Sequence, residues 1–283
     1  TLAPLAQIAN LFGRANNAKT SYKRLASFME ETQEDDVSVK NKGAIRREKL
    51  GSIEFKDTTY RYPEADLDTL RSINLSVNEG EKVAILGRNG SGKSTLMKLA
   101  SGLFKASDGL VMYDGVDIKQ LHTDDLSRSI GIVLQDVQLF SGSIRENITM
   151  GREDINQDDL INAGKLSGLD DFVSKIPGGY DLQLSDGGKG LSGGQRQSIA
   201  LARAIVHKPT HFILDEPTSA MDMNAENIFI SQMGSIMQDS TMLIVTHRMP
   251  LLNLVDRIIV MNEGQIVEDG PKEEIINKLN QPR

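Results

Sequence analysis

Three textures of apolar and polar positions follow one another along the chain, and each predicts a different kind of element. Residues 1–30 carry Leu5, Ile8, Phe12, Ala15, Ala18, Tyr22, Leu25 and Met29 at steps of three and four, with Asn10, Arg14, Asn17 and Lys19 elsewhere on the surface. That is the stripe of a long amphipathic helix, and Pro4 suits its first turn, where a missing N–H costs little. Residues 53–55, 58–62 and 73–77 alternate instead, with β-branched and aromatic residues at every second position. They read as half-exposed antiparallel strands. Further on come the runs 83–86, 109–113, 130–134, 211–214, 242–245 and 257–261, several apolar throughout, as expected for strands buried on both faces of a parallel sheet. Between about residues 137 and 207 the pattern is mostly helical, with candidates at 144–148, 160–166 and 198–206. This stretch reads as a helical insertion between two strands of one sheet. A terminal helix is expected over 271–279.

Composition narrows the class. The 283 residues are 39% hydrophobic and 25% charged, with a net charge of −7, ordinary globular material that argues against a large nucleic-acid footprint. Cysteine is absent, which excludes disulfides and thiolate metal sites and fits a reducing compartment. No run approaches the roughly eighteen apolar residues that a membrane span needs. The start, Thr1-Leu2-Ala3-Pro4, lacks the basic and apolar regions of a signal peptide, and without an initiator Met it suggests a fragment of a longer protein. The charged stretch from Glu30-Glu31 through Asp35-Asp36 to Lys40, Lys42, Arg46, Arg47 and Lys49 reads as a solvated linker. The expected organisation is therefore a helix over 1–30, a linker over 31–49 and a globular domain over 50–283.

Candidate chemistry concentrates where the strand at 83–86 meets a helix. Gly87-Arg88-Asn89-Gly90-Ser91-Gly92-Lys93-Ser94-Thr95 is a phosphate-binding loop in strand-to-helix context. Gly87, Gly90 and Gly92 let the backbone approach a phosphate, Lys93 can reach the terminal phosphates, and the Ser94 hydroxyl can complete the coordination of Mg²⁺. The apolar strand Phe212-Ile213-Leu214 ends in Asp215-Glu216. Asp215 is placed to hold a Mg²⁺-bound water, and Glu216, projecting differently, to polarise an attacking water. Leu191-Ser192-Gly193-Gly194-Gln195 precedes a helix expected to start near residue 196 and offers a second anion-binding terminus. One triphosphate cannot fill two distant phosphate sites in one domain. Two copies head to tail, each terminus facing the other copy's loop, resolve the conflict.

On these residues the chain resembles the nucleotide-binding domain of an ATP-binding cassette (ABC) transporter, from about residue 50 to the end. The resemblance implies an α/β fold: a P-loop NTPase core with a mostly parallel sheet, an N-terminal antiparallel β subdomain and an inserted α-helical subdomain at about 137–207. It implies ATP and Mg²⁺ as ligands, and it makes Leu191–Gln195 the signature that caps ATP across a dimer. Tyr62, before Pro63, looks like the aromatic that stacks on adenine, with Tyr60 the competing choice. Gln135 looks like the glutamine that senses Mg²⁺ and the membrane domains, and His247 like the switch histidine at the γ-phosphate. Ser219-Ala220-Met221-Asp222 resembles the loop coupling the two sites, with Met where the family more often has Leu. His122, His207 and His211 match no element and read as surface or core residues. Met233 and Met237 read as packing.

Residues 140–148 and 185–190 are similar to exporter segments, which implies that residues 1–30 are the end of the last membrane helix and its cytoplasmic extension, the other reading being a helix docked on the protein's own globular body. Ala3–Ala9 and the segment through Tyr22-Lys23-Arg24-Leu25 look similar to bacterial type I secretion ATPases. That resemblance implies export of large repeat-containing toxins or adhesins from the cytoplasmic face of a bacterial inner membrane. The implied partners are a second copy, membrane domains of the same full-length chain, and membrane-fusion and outer-membrane secretion proteins, with no nucleic acid. An exporter of lipid, drug or peptide is the alternative. A soluble ABC ATPase acting on nucleic acid or ribosomes is a further one, against which stands the absence of a coiled-coil insertion or second cassette. Glu216 and His247 argue against a catalytically idle cassette.

Overall fold

The computed structural model describes residues 43–280 together with residues 19, 21 and 22. The helix expected over 1–30 and most of the linker over 31–49 lie outside the described residues. The chain divides into two compact units, Thr1–Ala44 and Ile45–Arg283, and the second carries all the elements below. Its strands are β1 (Ile53–Tyr60), β2 (Leu70–Val77), β3 (Lys82–Gly87), β4 (Asp108–Tyr113), β5 (Val116–Asp117) and β6 (Ile130–Val133). They continue with β7 (Gly142–Ser143), β8 (Gln183–Leu184), β9 (His211–Asp215), β10 (Thr241–Val245), β11 (Arg257–Asn262) and β12 (Gln265–Pro271). The α-helices are α1 (Lys93–Ala100), α2 (Thr123–Ser129), α3 (Ile144–Thr149), α4 (Gln157–Leu166), α5 (Asp170–Val173), α6 (Gly193–Ile205), α7 (Met223–Ile236) and α8 (Lys272–Asn280).

The main sheet has the order β12-β11-β3-β10-β9-β6 and is parallel except for the β11–β12 pair. A separate sheet, β2-β1-β4-β5, is antiparallel. The α/β class, the parallel core and the antiparallel β subdomain are thus as the sequence led us to expect. All five residues of β9 and of β10 are buried, so neither strand alternates in polarity, although successive side chains still point to opposite faces. Phe212, Leu214, Met242 and Ile244 enter one core with Ile199, Met233 and Met237. Ile213, Leu243 and Val245 enter the other, where Leu96 and Met97 of α1 meet Phe55 and Ile73 of the antiparallel sheet. Each fully buried side chain of this size contributes about 1.5–3 kcal/mol, and the two cores together clamp β3, β9 and β10, whose carboxyl ends carry the site.

Some elements differ from the sequence reading. Residues 109–113 join the antiparallel sheet through β1 rather than the interleaved core. Strand β12 was not expected: its residues are mostly exposed and show little alternation. It forms because Glu263 and Gly264 both take left-handed φ, 46° and 77°, the turn that returns a two-stranded hairpin. The terminal helix begins at Lys272, since Pro271 still belongs to β12. Residues 137–207 hold α3 to α6 and also the small antiparallel pair β7–β8.

Candidate nucleotide site

Strand β3 ends at Gly87 and α1 starts at Lys93, with Gly92 as its cap at φ 97° and no side-chain capping bond. The first N–H groups of α1 therefore keep their capacity for an anion. Close packing explains two of the glycines. A Cβ on Gly87 would meet the Met261 carbonyl oxygen, and one on Gly92 would lie 2.6 Å from Leu70 Cδ2. The loop is held from outside by the Gly264 N–H, which donates to the Ser91 carbonyl at 3.1 Å.

In front of this loop lies a cavity of about 630 Å³. Asn89, Gly90, Gly92, Lys93, Ser94 and Thr95 line it from the loop, and Tyr62, Gln135, Asp215, Glu216 and His247 from four other segments. Thr69, Ser219 and Val245 line it as well; Ser219 opens the segment that resembles the coupling loop, while nothing in the sequence context singled out Thr69 or Val245 for the site. Gly87 and Ser91 form the loop behind the wall. Leu191, Ser192, Gly193, Gly194 and Gln195 do not line this cavity at all.

Lys93 is buried and donates from Nζ to the carbonyls of Gly87, at 2.9 Å, and Arg88, at 3.0 Å. Burial pushes its pKa down, and the facing Asp215 and Glu216 oppose that shift. Asp215 sits at the end of β9, buried, with Oδ1 lacking any hydrogen-bond partner. Burial raises its pKa despite a hydrogen bond from Ser94 and the charge of Lys93. Glu216 takes the left-handed backbone, φ 52°, which turns its side chain away from that of Asp215. Its Oε1 lies 3.4 Å from Nε2 of the half-exposed His247. Burial raises the Glu216 pKa, and His247 works against that rise.

The aromatic at the rim is also placed. Tyr62 hydrogen-bonds through its hydroxyl to Thr95 Oγ1 at 3.1 Å, and its ring stands edge-on to Tyr60 and Phe104. Tyr60 is buried and stacked on Phe104 at 5.1 Å. Of the two tyrosines only Tyr62 lines the cavity. Phe104, the base of this cluster, follows Leu103 in a turn whose pattern carried no signal.

The Leu191–Gln195 string has its own geometry. Helix α6 starts at Gly193, not near residue 196, because Ser192 caps it reciprocally. Ser192 Oγ accepts from the Gln195 N–H at 3.2 Å, and Gln195 Oε1 accepts from the Ser192 N–H at 2.8 Å. That capping box outweighs the poor helix propensity of two glycines. Ser192 is exposed, so this terminus faces outward. The remaining histidines fall where the sequence put them: His122 caps α2, and His211 is buried against the Gly51 carbonyl and Thr210, its pKa lowered by burial.

Comparison with known proteins decides the family. The ABC transporter family model matches residues 70–219. The chain belongs to the ABC transporter family. It is 38% identical over 275 residues to the leukotoxin export ATP-binding protein LtxB of Aggregatibacter actinomycetemcomitans, covering 97% of this chain and 38% of that protein. It is 37% identical over 273 residues to the cyclolysin secretion/processing ATP-binding protein CyaB of Bordetella pertussis, covering 96% and 38%. To the leukotoxin translocation ATP-binding protein LktB of Mannheimia haemolytica it is 38% identical over 279 residues, covering 99% and 39%. The structure of a bacterial Atm1-family ABC exporter with ATP bound superposes with a TM-score of 0.75 at 31% identity, covering 82% of this chain and 40% of that one.

The chain thus spans about two fifths of the length of the relatives it matches. Its fold is that of the ABC ATPase domain, a nucleotide-binding unit. Among the described residues, no helix is long and apolar enough to cross a membrane. Within this ABC fold the loop glycines make a first prediction. Gly92→Ala forces a Cβ into φ 97° against Leu70, costing about 1–3 kcal/mol and disturbing the start of α1. A urea midpoint shifted down, together with weakened binding of a fluorescent nucleotide, is expected. An unchanged midpoint would show that the loop relaxes freely.

Proposed function

We propose that this domain binds ATP with Mg²⁺ at the cavity and hydrolyses it between two copies arranged head to tail, powering export through membrane domains of the same full-length chain. The observation that carries this reading is the convergence of Lys93, Ser94, Gln135, Asp215, Glu216 and His247 on one cavity that the Leu191–Gln195 terminus does not reach. The outward-facing terminus of α6 then serves the nucleotide of the other copy.

The residues fit the metal. Asp215 Oδ1 is buried without a partner, the Ser94 hydroxyl already turns to the Asp215 carboxylate, and Gln135 shares the cavity. These three would hold Mg²⁺, which when bound offsets the charge of the phosphate oxygens. The rest is the work of the chain. Tyr62 presents a ring for the base, and the loop N–H groups and Lys93 hold the phosphates. Glu216 orients the water that attacks the γ-phosphorus and accepts its proton as the bond to the β-phosphate oxygen breaks. His247 lies beside Glu216 on the γ-phosphate side. Positioning and charge, not covalent chemistry, supply the rate.

The names of LtxB, CyaB and LktB, which export or translocate a leukotoxin or secrete a cyclolysin, support type I secretion of a large protein, an RTX toxin or adhesin, as the transport task. The domain then works at the cytoplasmic face of a bacterial inner membrane, with membrane-fusion and outer-membrane secretion proteins as further partners. Mixing tests the shared site. Lys93→Ala and Ser192→Arg proteins, each inactive alone, form mixed dimers with one site carrying both defects and one carrying neither. ATPase activity of the mixture is expected to rise well above that of either variant. A mixture as inactive as its components rejects the two-copy site.

A further inference from the structure

Glu216 holds a left-handed backbone conformation, which is disfavoured for a residue with a side chain. At φ 52° a non-glycine residue is strained and is held in place by its surroundings. Three bonds hold its backbone. The Glu216 N–H donates to the Val245 carbonyl at 2.9 Å, and the Glu216 carbonyl accepts from the Ser219 N–H at 3.1 Å. The third comes from a side chain: Nε2 of Gln197 donates to the same Glu216 carbonyl at 3.1 Å. The first two are backbone bonds that almost any sequence could make. The third depends on one residue, contributed by a different element.

We propose that Gln197 is a positioning residue for hydrolysis, gripping the turn after β9 so that the Glu216 carboxylate stays where water is activated. The other end of its amide makes the grip two-handed, since Gln197 Oε1 accepts from the Ala220 N–H at 3.3 Å. One planar amide thus spans Glu216 to Ala220, a task that needs donor and acceptor on the same side chain. A carboxylate lacks the donor, and Asn is one methylene too short to reach both. Gln197 is 2% exposed and does not line the cavity, so its route to the site runs through the turn that carries Glu216. It lies five residues after Ser192, roughly 7.5 Å along the helix axis, and Gly193 abuts the same turn: a Cβ there would come within 2.9 Å of Ala220 Cβ. The Glu216 turn is therefore registered against the helix that begins at the signature. On the far side Arg248 Nη2 donates to the Ser219 carbonyl at 3.3 Å, but it makes no bond to Glu216 itself. The inference rests on the proposed role of Glu216 as the group that activates water.

A double-mutant cycle tests it. Gln197→Met keeps the length and burial of the side chain and removes both hydrogen bonds, and Gln197→Asn keeps an amide that cannot span the turn. In the full 283-residue chain each variant is expected to lower kcat for ATP at least tenfold, since misplacing a reacting group by about 1 Å costs on the order of 10², while KM stays within twofold. Combined with Glu216→Gln, either substitution is expected to cause no further loss in single-turnover phosphate release, because the group it positions is already gone. Additive losses, a fall confined to KM, or unchanged kcat in the folded variants each overturn the proposal. Folding is checked by the thermal midpoint. If Glu216→Gln alone hydrolyses ATP at the parental rate, the assignment of Glu216 fails, and an independent kcat effect of Gln197→Met would then belong to some other group.

Discussion

Glu216→Gln is expected to keep ATP bound and to slow its hydrolysis by about 10²–10⁴-fold, the usual contribution of a positioned general base. The amide is nearly isosteric, so the left-handed turn and its bonds to Val245 and Ser219 survive, but it neither accepts a proton from water nor attracts His247 as a carboxylate does. A filter-binding assay for retained ATP beside phosphate release is the measurement, and undiminished release would move Glu216 to a structural role. Stability gives the same substitution a second signature. Burial raises the Glu216 pKa. Below the ordinary glutamate value, about 4.3, the carboxyl is protonated in folded and unfolded chains alike and its burial is not penalised. As pH climbs from there to the raised folded value, the unfolded chain loses its proton first and the folded chain is progressively disfavoured. The Gln variant carries no such penalty. Without nucleotide it is therefore expected to melt above the parent at neutral pH, with the gain shrinking as pH falls through that window. A lower melting temperature at pH 7 contradicts the sign.

Lys93→Ala is expected to weaken ATP binding at least tenfold and to abolish turnover. Lys93 is the cation that faces Asp215 and Glu216 across the cavity, and its ammonium is parked on the Gly87 and Arg88 carbonyls, within the loop where phosphates would sit. Its loss removes the lysine charge that faces both acids and would meet the phosphates. Equilibrium binding by isothermal calorimetry separates this from Glu216→Gln: both variants should lose most or all hydrolysis, but only Lys93→Ala should lose affinity. Parental affinity in Lys93→Ala would detach the lysine from the phosphates.

The amphipathic order of the chain, its apolar runs and its glycine-rich loop were enough to predict an α/β fold with a parallel core, because these features act locally. Strands buried on both faces show as unbroken apolar runs at 212–214 and 242–245, and the loop at 87–95 is a contiguous string whose chemistry depends on neighbours in sequence. The cavity residues Tyr62, Gln135, Asp215, Glu216 and His247 were named from motifs; the sheet order β3-β10-β9-β6 brings the last four to the phosphate loop, and Tyr62 comes from just past the end of β1 in the antiparallel sheet. Other features belong to tertiary structure alone. Strand β12 exists because a left-handed turn offers it a partner, not because its own residues favour a strand. Phe104 supports Tyr62 only after the chain folds back on itself. The choice between Tyr60 and Tyr62 at the cavity wall depends on which ring the core absorbs, and the start of α6 on a reciprocal cap that outweighs two glycines. Gln197 belongs here above all. In sequence it is one polar residue on a helix, and its role arises only where α6 packs against the turn after β9, since a hydrogen bond between residues nineteen apart leaves no trace in local pattern.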